Sequence, residues 1–341
     1  MIHIETEQLE RNGVQQNLPG FDSKYHNIVD YILKITEDIW EKKEIDVIYD
    51  TYEKDILIHT GARKINGVEK VINGTKDTLS SYPDRKMLGE AVIWSTDDQG
   101  DFYSSHRILS TATNEGRTIF GMATGKKINF RTIADCKIAN NKIYEEWLVR
   151  DNLHILQQLG YDPVEMAKKD VTYKENSISI SVNSSDEEKP QNLSLPESLV
   201  YALINDVWKN KDLAKIENYF SEHSTLHAIC NQDIHGINAI KDYVQLFLNS
   251  FQEATINVDR ITSNRNGNSA EIAARWYIRG KTSKSGIFGM DSQDEVFVHI
   301  ISHYNIQNDK ITDEWMVYDG FDVLCQLYNI NKLKKDLQEN L

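Results

Sequence analysis

The sequence predicts an α+β protein made of two tandem copies of one domain, and three observations carry that prediction. Distinctive residues recur at one offset, helical periodicity precedes strand periodicity in each half, and the composition is that of a globular chain. At an offset of 168, Trp40 matches Trp208, His59 matches His227 and Arg107 matches Arg275. The same register aligns Ile119-Phe120-Gly121-Met122 with Ile287-Phe288-Gly289-Met290, Lys142-Ile143 with Lys310-Ile311, Glu146-Trp147 with Glu314-Trp315, and Asp151 with Asp319. A single register held over such a span marks a duplication. The copies are expected over residues 21–165 and 196–332, with residues 1–20 as a flexible tail and 170–195 as a linker.

In the first copy, Ile28, Ile32, Ile35 and Ile39 follow helical spacing and predict a helix ending near Trp40. A short helix is expected over residues 45–52 and a strand over 56–59. Gly67 opens a turn into a helix over residues 68–79, which Ser81-Tyr82-Pro83-Asp84 stops because proline cannot continue it. Strands are then expected over residues 86–95, 101–113, 126–138 and 142–150, with turns at Asp97-Asp98-Gln99-Gly100 and Asn140-Asn141. Each domain therefore reads as about three N-terminal helices packed on a curved antiparallel sheet. The second copy repeats the order: a helix over 200–208, a strand over 225–229, a helix after Gly236, and strands to Tyr318. In the linker, Ile178, Ile180 and Val182 alternate with polar residues, which also suits an edge strand.

With 341 residues, 40% hydrophobic and 26% charged, the chain is long enough for two cores and far from disordered composition. Acidic residues outnumber basic ones 52 to 38. No basic stripe is present to displace counterions, so no nucleic-acid partner is expected. The apolar runs are too short for a membrane helix and the first residues lack a leader pattern, so a cytoplasmic protein without a membrane partner is expected. Cys136, Cys230 and Cys325 form no metal or redox spacing and read as packing residues.

The last strand of each copy, Glu145–Asp151 and Asp313–Asp319, carries the most chemistry. Side chains four apart share a strand face, so Trp147 lies with Asp151 and Trp315 with Asp319. If that face is the concave one, each carboxyl sits against an indole, desolvation raises its pKa, and it can shuttle a proton near neutral pH. The same aspartates are preferred N-caps for the short helices expected over 153–159 and 321–327, and the spacing allows both roles. His59 and His227 on the first strands, and Arg107 and Arg275 in mid-strand, are candidate binding residues. His299 and His303 share a strand face, yet their counterparts are Arg131 and Asp135. No metal site common to both copies is expected, because zinc needs three or four ligands.

The first copy also resembles the SnoaL-like polyketide cyclase family of the nuclear-transport-factor-2-like superfamily. The resemblance rests on Ser81-Tyr82-Pro83-Asp84, Gly121, Thr124-Gly125-Lys126-Lys127, Asn141-Lys142-Ile143, Glu145-Glu146-Trp147, Asp151, and Leu153 with Leu156-Gln157-Gln158-Leu159-Gly160. The second copy keeps Trp315, Asp319 and Gln326-Leu327 but lacks the Thr-Gly-Lys turn, the Pro-Asp stop and the terminal glycine. The resemblance implies a cone-shaped fold around an apolar pocket, and cofactor-independent acid–base cyclisation with Asp151, and in the second copy Asp319, as the acid/base.

Two functions follow from these readings. One is cyclisation or isomerisation of a small apolar carbonyl compound by Asp151, and Asp319 in its own copy, without cofactor. Trp147, His59 and Arg107, or Trp315, His227, Arg275, His299 and His303, then line the pockets. The other is a non-catalytic binding or assembly protein built from two such domains. Superfamily members dimerise through the outer sheet face, so the copies are expected to form an intramolecular pseudo-dimer, and further oligomerisation is compatible with it.

Overall fold

The structure, a computed structural model, describes residues 15–97, 100–169, 193–292 and 295–328. The described residues fall into two compact units. The first holds those up to Thr60, with Lys64–Arg150 and His154–Tyr161; the second holds Gly61–Arg63, Asp151–Leu153 and those from Asp162 on. Residues 1–14 of the expected tail and 170–192 of the expected linker lie outside the described residues, as does the Ile178–Val182 alternation. Residues 15–20 are packed in part: Gln16 accepts from the amide of Ile28, and Leu18 lies against the core.

The first unit opens with α1 (Ile28–Trp40), whose free N-terminal amides are capped by Asn27 Oδ1 accepting from Asp30 N at 2.8 Å. Its apolar stripe of Ile28, Tyr31, Ile32, Ile35 and Ile39 is buried. α2 (Val47–Thr51), β1 (Tyr52–Thr60), β2 (Arg63–Asn66) and α3 (Val68–Ser81) follow. Gly67 enters α3 at φ 93°, a left-handed conformation that disfavours any side chain, and Gly236 at φ 80° does the same in the second unit. Then come β3 (Lys86–Thr96), β4 (Phe102–Thr113), β5 (Lys127–Ala139), β6 (Lys142–Arg150) and α4 (Asn152–Leu159), while α5 (Pro163–Lys169) belongs to the second unit.

The second unit repeats the plan. α6 (Leu195–Leu203) widens into a π-helical turn over Ile204–Lys209, and α7 (Ile216–Tyr219), β7 (Phe220–Ala228), β8 (Gln232–His235) and α8 (Ile237–Leu248) follow. Four long strands complete it: β9 (Phe251–Asn266), β10 (Ser269–Thr282), β11 (Glu295–Gln307) and β12 (Lys310–Tyr318). The two six-stranded sheets have the same order, β2-β1-β6-β5-β4-β3 and β8-β7-β12-β11-β10-β9. The duplication read from the sequence is thus a duplication of topology.

The sheets correct one expectation. They are mixed rather than wholly antiparallel, because β1 pairs parallel with β6 and β7 parallel with β12. A parallel neighbour requires a long crossover rather than a tight turn, and here the crossover runs through a helix and four strands. That long-range pairing leaves no local mark in the sequence.

Each core lies between the helices and one face of its sheet. In the first unit α1 packs with Ile56, Ile58, Val92, Phe102, Cys136, Ile138 and Ile143. In the second, Trp208 of the π-helical turn meets Phe247 of α8 at 5.6 Å and Trp276 of β10 at 5.1 Å between ring centroids. Truncating Trp276 to alanine is expected to destabilise the protein by about 3–5 kcal/mol in a urea titration, since the fully buried indole leaves a cavity. An unchanged midpoint would mean that the indole is not part of the core.

Candidate functional site

Alternation along a strand assigns every side chain to one of two faces, and the register ties the faces across neighbouring strands. In the first unit, Ser104, His106, Ile108 and Ser110 of β4 pair with Cys136, Ala134, Thr132 and Phe130 of β5. Cys136, Ala134 and Thr132 pair in turn with Glu146, Leu148 and Arg150 of β6. This set includes Cys136 of the α1 core and is the helix-facing side. Trp147 pairs with Asp135, and His59 with Trp147, on the opposite side.

The structure therefore separates the sequence-predicted residues from the helix-covered interior. On the opposite face of the first sheet the His59 ring stacks on Trp147 at 5.0 Å, and its Nε2 lies 2.9 Å from Glu145 Oε1. Lys137 reaches the other Glu145 oxygen at 3.1 Å, and the two neighbours hold that carboxyl below its usual range despite burial. Arg107 donates to Glu90 at 3.1 Å, alongside Arg131 at 2.8 Å. The second unit repeats the arrangement: His227 stacks on Trp315 at 4.7 Å and contacts Asp233 at 2.7 Å, and Arg275 donates to Asp259 at 2.6 Å. His299 and His303 pair with Tyr277 and Ala273 on that same face. Trp147 and Trp315 thus lie on the sheet faces opposite the helix-covered ones.

Asp151, which is buried, and Asp319, which is part-buried, both belong to the second unit. Asp151 accepts a hydrogen bond from the amide of Cys230. Asp319 Oδ1 accepts from the amides of Phe321 and Asp322 at 3.0 Å each, capping the helix over residues 320–328, and its other oxygen accepts from Asn152. Burial and the neighbouring Asp322 carboxyl raise the Asp319 pKa. Asp151 groups with the second unit, whereas the family resemblance implies a role for it in the first copy.

That interior holds a different set. Glu146 is buried and its pKa is pushed up to about 7 by desolvation, with Arg150 and the Tyr52 hydroxyl opposing the rise. Desolvation also depresses His106 to about 3, which keeps the imidazole neutral at physiological pH. Arg85, on the loop after α3, lies over the rings of Trp40 and Phe130 at 4.6 and 5.2 Å. Arg150 lies over the same Phe130 ring at 5.8 Å. Arg85 Nη1, Ser104 Oγ, His106 Nε2 and Thr132 Oγ1 are buried polar atoms with no protein hydrogen-bond partner. Buried polar groups are ordinarily paired, so such a concentration inside one domain calls for an explanation.

The same register positions in the second unit are filled with bulk. Ser104, His106, Ile108, Ser110, Thr132 and Arg150 become Ile272, Ala274, Trp276, Ile278, Ile300 and Tyr318. Only the carboxyl is kept, as Glu314, and burial again raises its pKa to about 7. Sequence reasoning registered Glu146-Trp147 and Glu314-Trp315 as a repeat but favoured the aspartates beyond them. The missed signal was the opposite of repetition: His106 and Arg150 stand where the second copy has Ala274 and Tyr318, and Arg85 stands where it has the oppositely charged Glu253.

A family model for SnoaL-like polyketide cyclase matches residues 31–159 and, separately, 198–327, together well over half of the sequence. The chain belongs to the SnoaL-like polyketide cyclase family. No curated protein matches this SnoaL-like sequence. Among solved structures, it is similar to AclR from Streptomyces galilaeus at 18% identity, over 39% of this chain and 98% of that one, with a TM-score of 0.34. TsrD from Streptomyces laurentii matches at 14% identity over 39% and 94%, TM-score 0.35. A SnoaL-like polyketide cyclase from Agrobacterium tumefaciens matches at 16% over 38% and 96%, TM-score 0.32.

The two interior glutamates of this SnoaL-like chain give its stability a pH dependence. The folded state keeps a proton on Glu146 up to about pH 7, whereas the unfolded carboxyl releases it near 4.5. Stability is then highest below the unfolded value and falls as pH rises through this window, by about 3 kcal/mol per glutamate. Melting temperatures measured from pH 4.5 to 7.5 are expected to decline, and Glu146→Gln and Glu314→Gln each to flatten the decline. A slope unchanged in both variants would contradict the burial of these carboxyls.

Proposed function

We propose that the first SnoaL-like repeat is the working site, performing cofactor-independent acid–base chemistry on an apolar carbonyl compound, and that the second repeat is its scaffold. The observation behind this reading is the contrast between the two interiors. Beside a glutamate that both copies keep, one sheet face bears Ser104, His106 and Thr132 under helices, while its duplicate bears Ile272, Ala274 and Ile300. A duplicate that folds without the polar set argues that the set is not needed for folding.

Each group has a role suited to its state. A carboxyl that titrates near neutrality exists in both forms and suits proton transfer in either direction. Glu146 removes a proton from the carbon beside the substrate carbonyl and returns one at the next step. His106 is neutral, and its Nε2–H tautomer donates to the carbonyl oxygen as negative charge develops there; a neutral imidazole with a depressed pKa is an effective electrophile of this type. Ser104 and Thr132 add hydroxyl donors on the same face. This assignment moves the acid–base role from Asp151 to Glu146, five residues earlier on the same strand and its exit. Ring closure and isomerisation both begin with this enolisation, so the reaction class covers each.

Exchange of α-protons in D2O, followed by NMR on a panel of ring-forming β-keto compounds and small aryl ketones, tests the proposal. Wild-type protein is expected to accelerate exchange, with a rate that rises as pH passes through about 7 and Glu146 becomes the base. Glu146→Gln is expected to lower the rate by about 100-fold or more, and Asp151→Asn to leave it within a few-fold. Equal exchange by wild type and Glu146→Gln across the panel would overturn the assignment.

A further inference from the structure

The interior of the first repeat contains a buried cation without a counter-charge. Arg85 is only 4% exposed, and among the described residues no carboxylate pairs with it. Its Nε and Nη2 both donate to the Ser110 hydroxyl, at 3.3 and 3.0 Å, and the remaining terminal nitrogen, Nη1, is buried without a partner. The neighbouring acid, Asp84, is turned away and engaged by the Thr113 amide and hydroxyl at 2.7 and 2.6 Å. A second guanidinium, Arg150, lies over the same Phe130 ring and acts on Arg85 with like charge. Other buried arginines of the chain are neutralised: Arg107 shares Glu90 with Arg131, and Arg275 pairs with Asp259.

Burying a charge is unfavourable unless it is paired. Two cation–π contacts, with Trp40 and Phe130, offset part of that cost but supply no anion. The fold does not require the arrangement either, since the second repeat carries Glu253 in place of Arg85 and Ile278 in place of Ser110. A buried guanidinium with one free donor edge, flanked by aromatic rings and positioned on the face that bears Glu146, is a receptor for an anionic oxygen on a largely apolar molecule.

We propose that Arg85 receives a carboxylate of the ligand, so that the compound taken by the first repeat is a carbonyl compound that also carries a carboxylic acid. This rests on reading that interior as a ligand site. A carboxylate fits better than a phosphate, because Ser110 already occupies two of the guanidinium nitrogens and a dianion would require more donors than the remaining edge offers.

The test compares 4-oxo-4-phenylbutanoate with its methyl ester and with inorganic phosphate, by calorimetric titration and thermal shift at pH 7. Wild-type protein is expected to bind the acid at least 10-fold more tightly than the ester and to show no saturable response to phosphate. Arg85→Met is expected to abolish that preference without lowering the melting temperature of the ligand-free protein, because it removes an uncompensated charge. Arg85→Lys is expected to retain part of the preference. The proposal falls if the ester binds as tightly as the acid, if phosphate binds instead, if neither organic compound binds, or if Arg85→Met melts several degrees lower than wild type. Glu146→Gln separates this from the acid–base reading: it should keep acid binding while losing proton exchange. Exchange that persists without acid preference would sink the carboxylate and leave the acid–base role standing.

Discussion

A residue on a β-strand has two directions in which to point, and in each six-stranded sheet of this protein that choice separates an ion-paired face from a helix-covered one. On β6 the consecutive residues Glu145, Glu146 and Trp147 illustrate it. Glu145 and Trp147 join His59 and Lys137 on one side, while Glu146 points under the helices and stays protonated to about pH 7. Neighbouring carboxyls of identical chemistry are driven in opposite directions by the pleat alone, one held low by its cations and one raised by desolvation.

Duplication makes this contrast informative. The second unit repeats strand order, the histidine–indole stack, the arginine–carboxylate pair and the buried glutamate. It replaces Ser104, His106 and Thr132 of the polar interior with apolar residues. Trp276, Trp208, Phe247 and Tyr318 fill it with mutually packed rings, the kind of core that stabilises a domain and leaves little room for chemistry. Features kept in both copies, the buried glutamate apart, are thus ones that the shared fold accounts for. Features confined to one copy, namely Arg85, His106, Ser104 and Thr132, are those that it tolerates at some cost in stability, as sites commonly are.

Much of the fold was legible in residue pattern. The spacing of Ile28, Ile32, Ile35 and Ile39 marks α1, the Pro83 stop closes α3, and the strand limits expected for β3 to β6 lie within one or two residues of those found. The parallel entry of β1 beside β6 was not legible, because it joins segments with most of the domain between them. The site was legible only in part. The strand ends at Arg150, so the i to i+4 rule does not reach Asp151, and periodicity does not say which face the helices cover.

The amino-acid sequence by itself determined the duplication, the order of helices and strands and the family, since each is written in local spacing or in residues that recur at a constant offset. Tertiary structure alone decided which side of each sheet became interior. From that followed which carboxyl is desolvated, which arginine lacks a counter-ion and which aspartate merely caps a helix. The physical reason is that desolvation and ion pairing depend on what neighbouring strands and helices bring within a few ångströms, and a linear pattern holds no record of those neighbours.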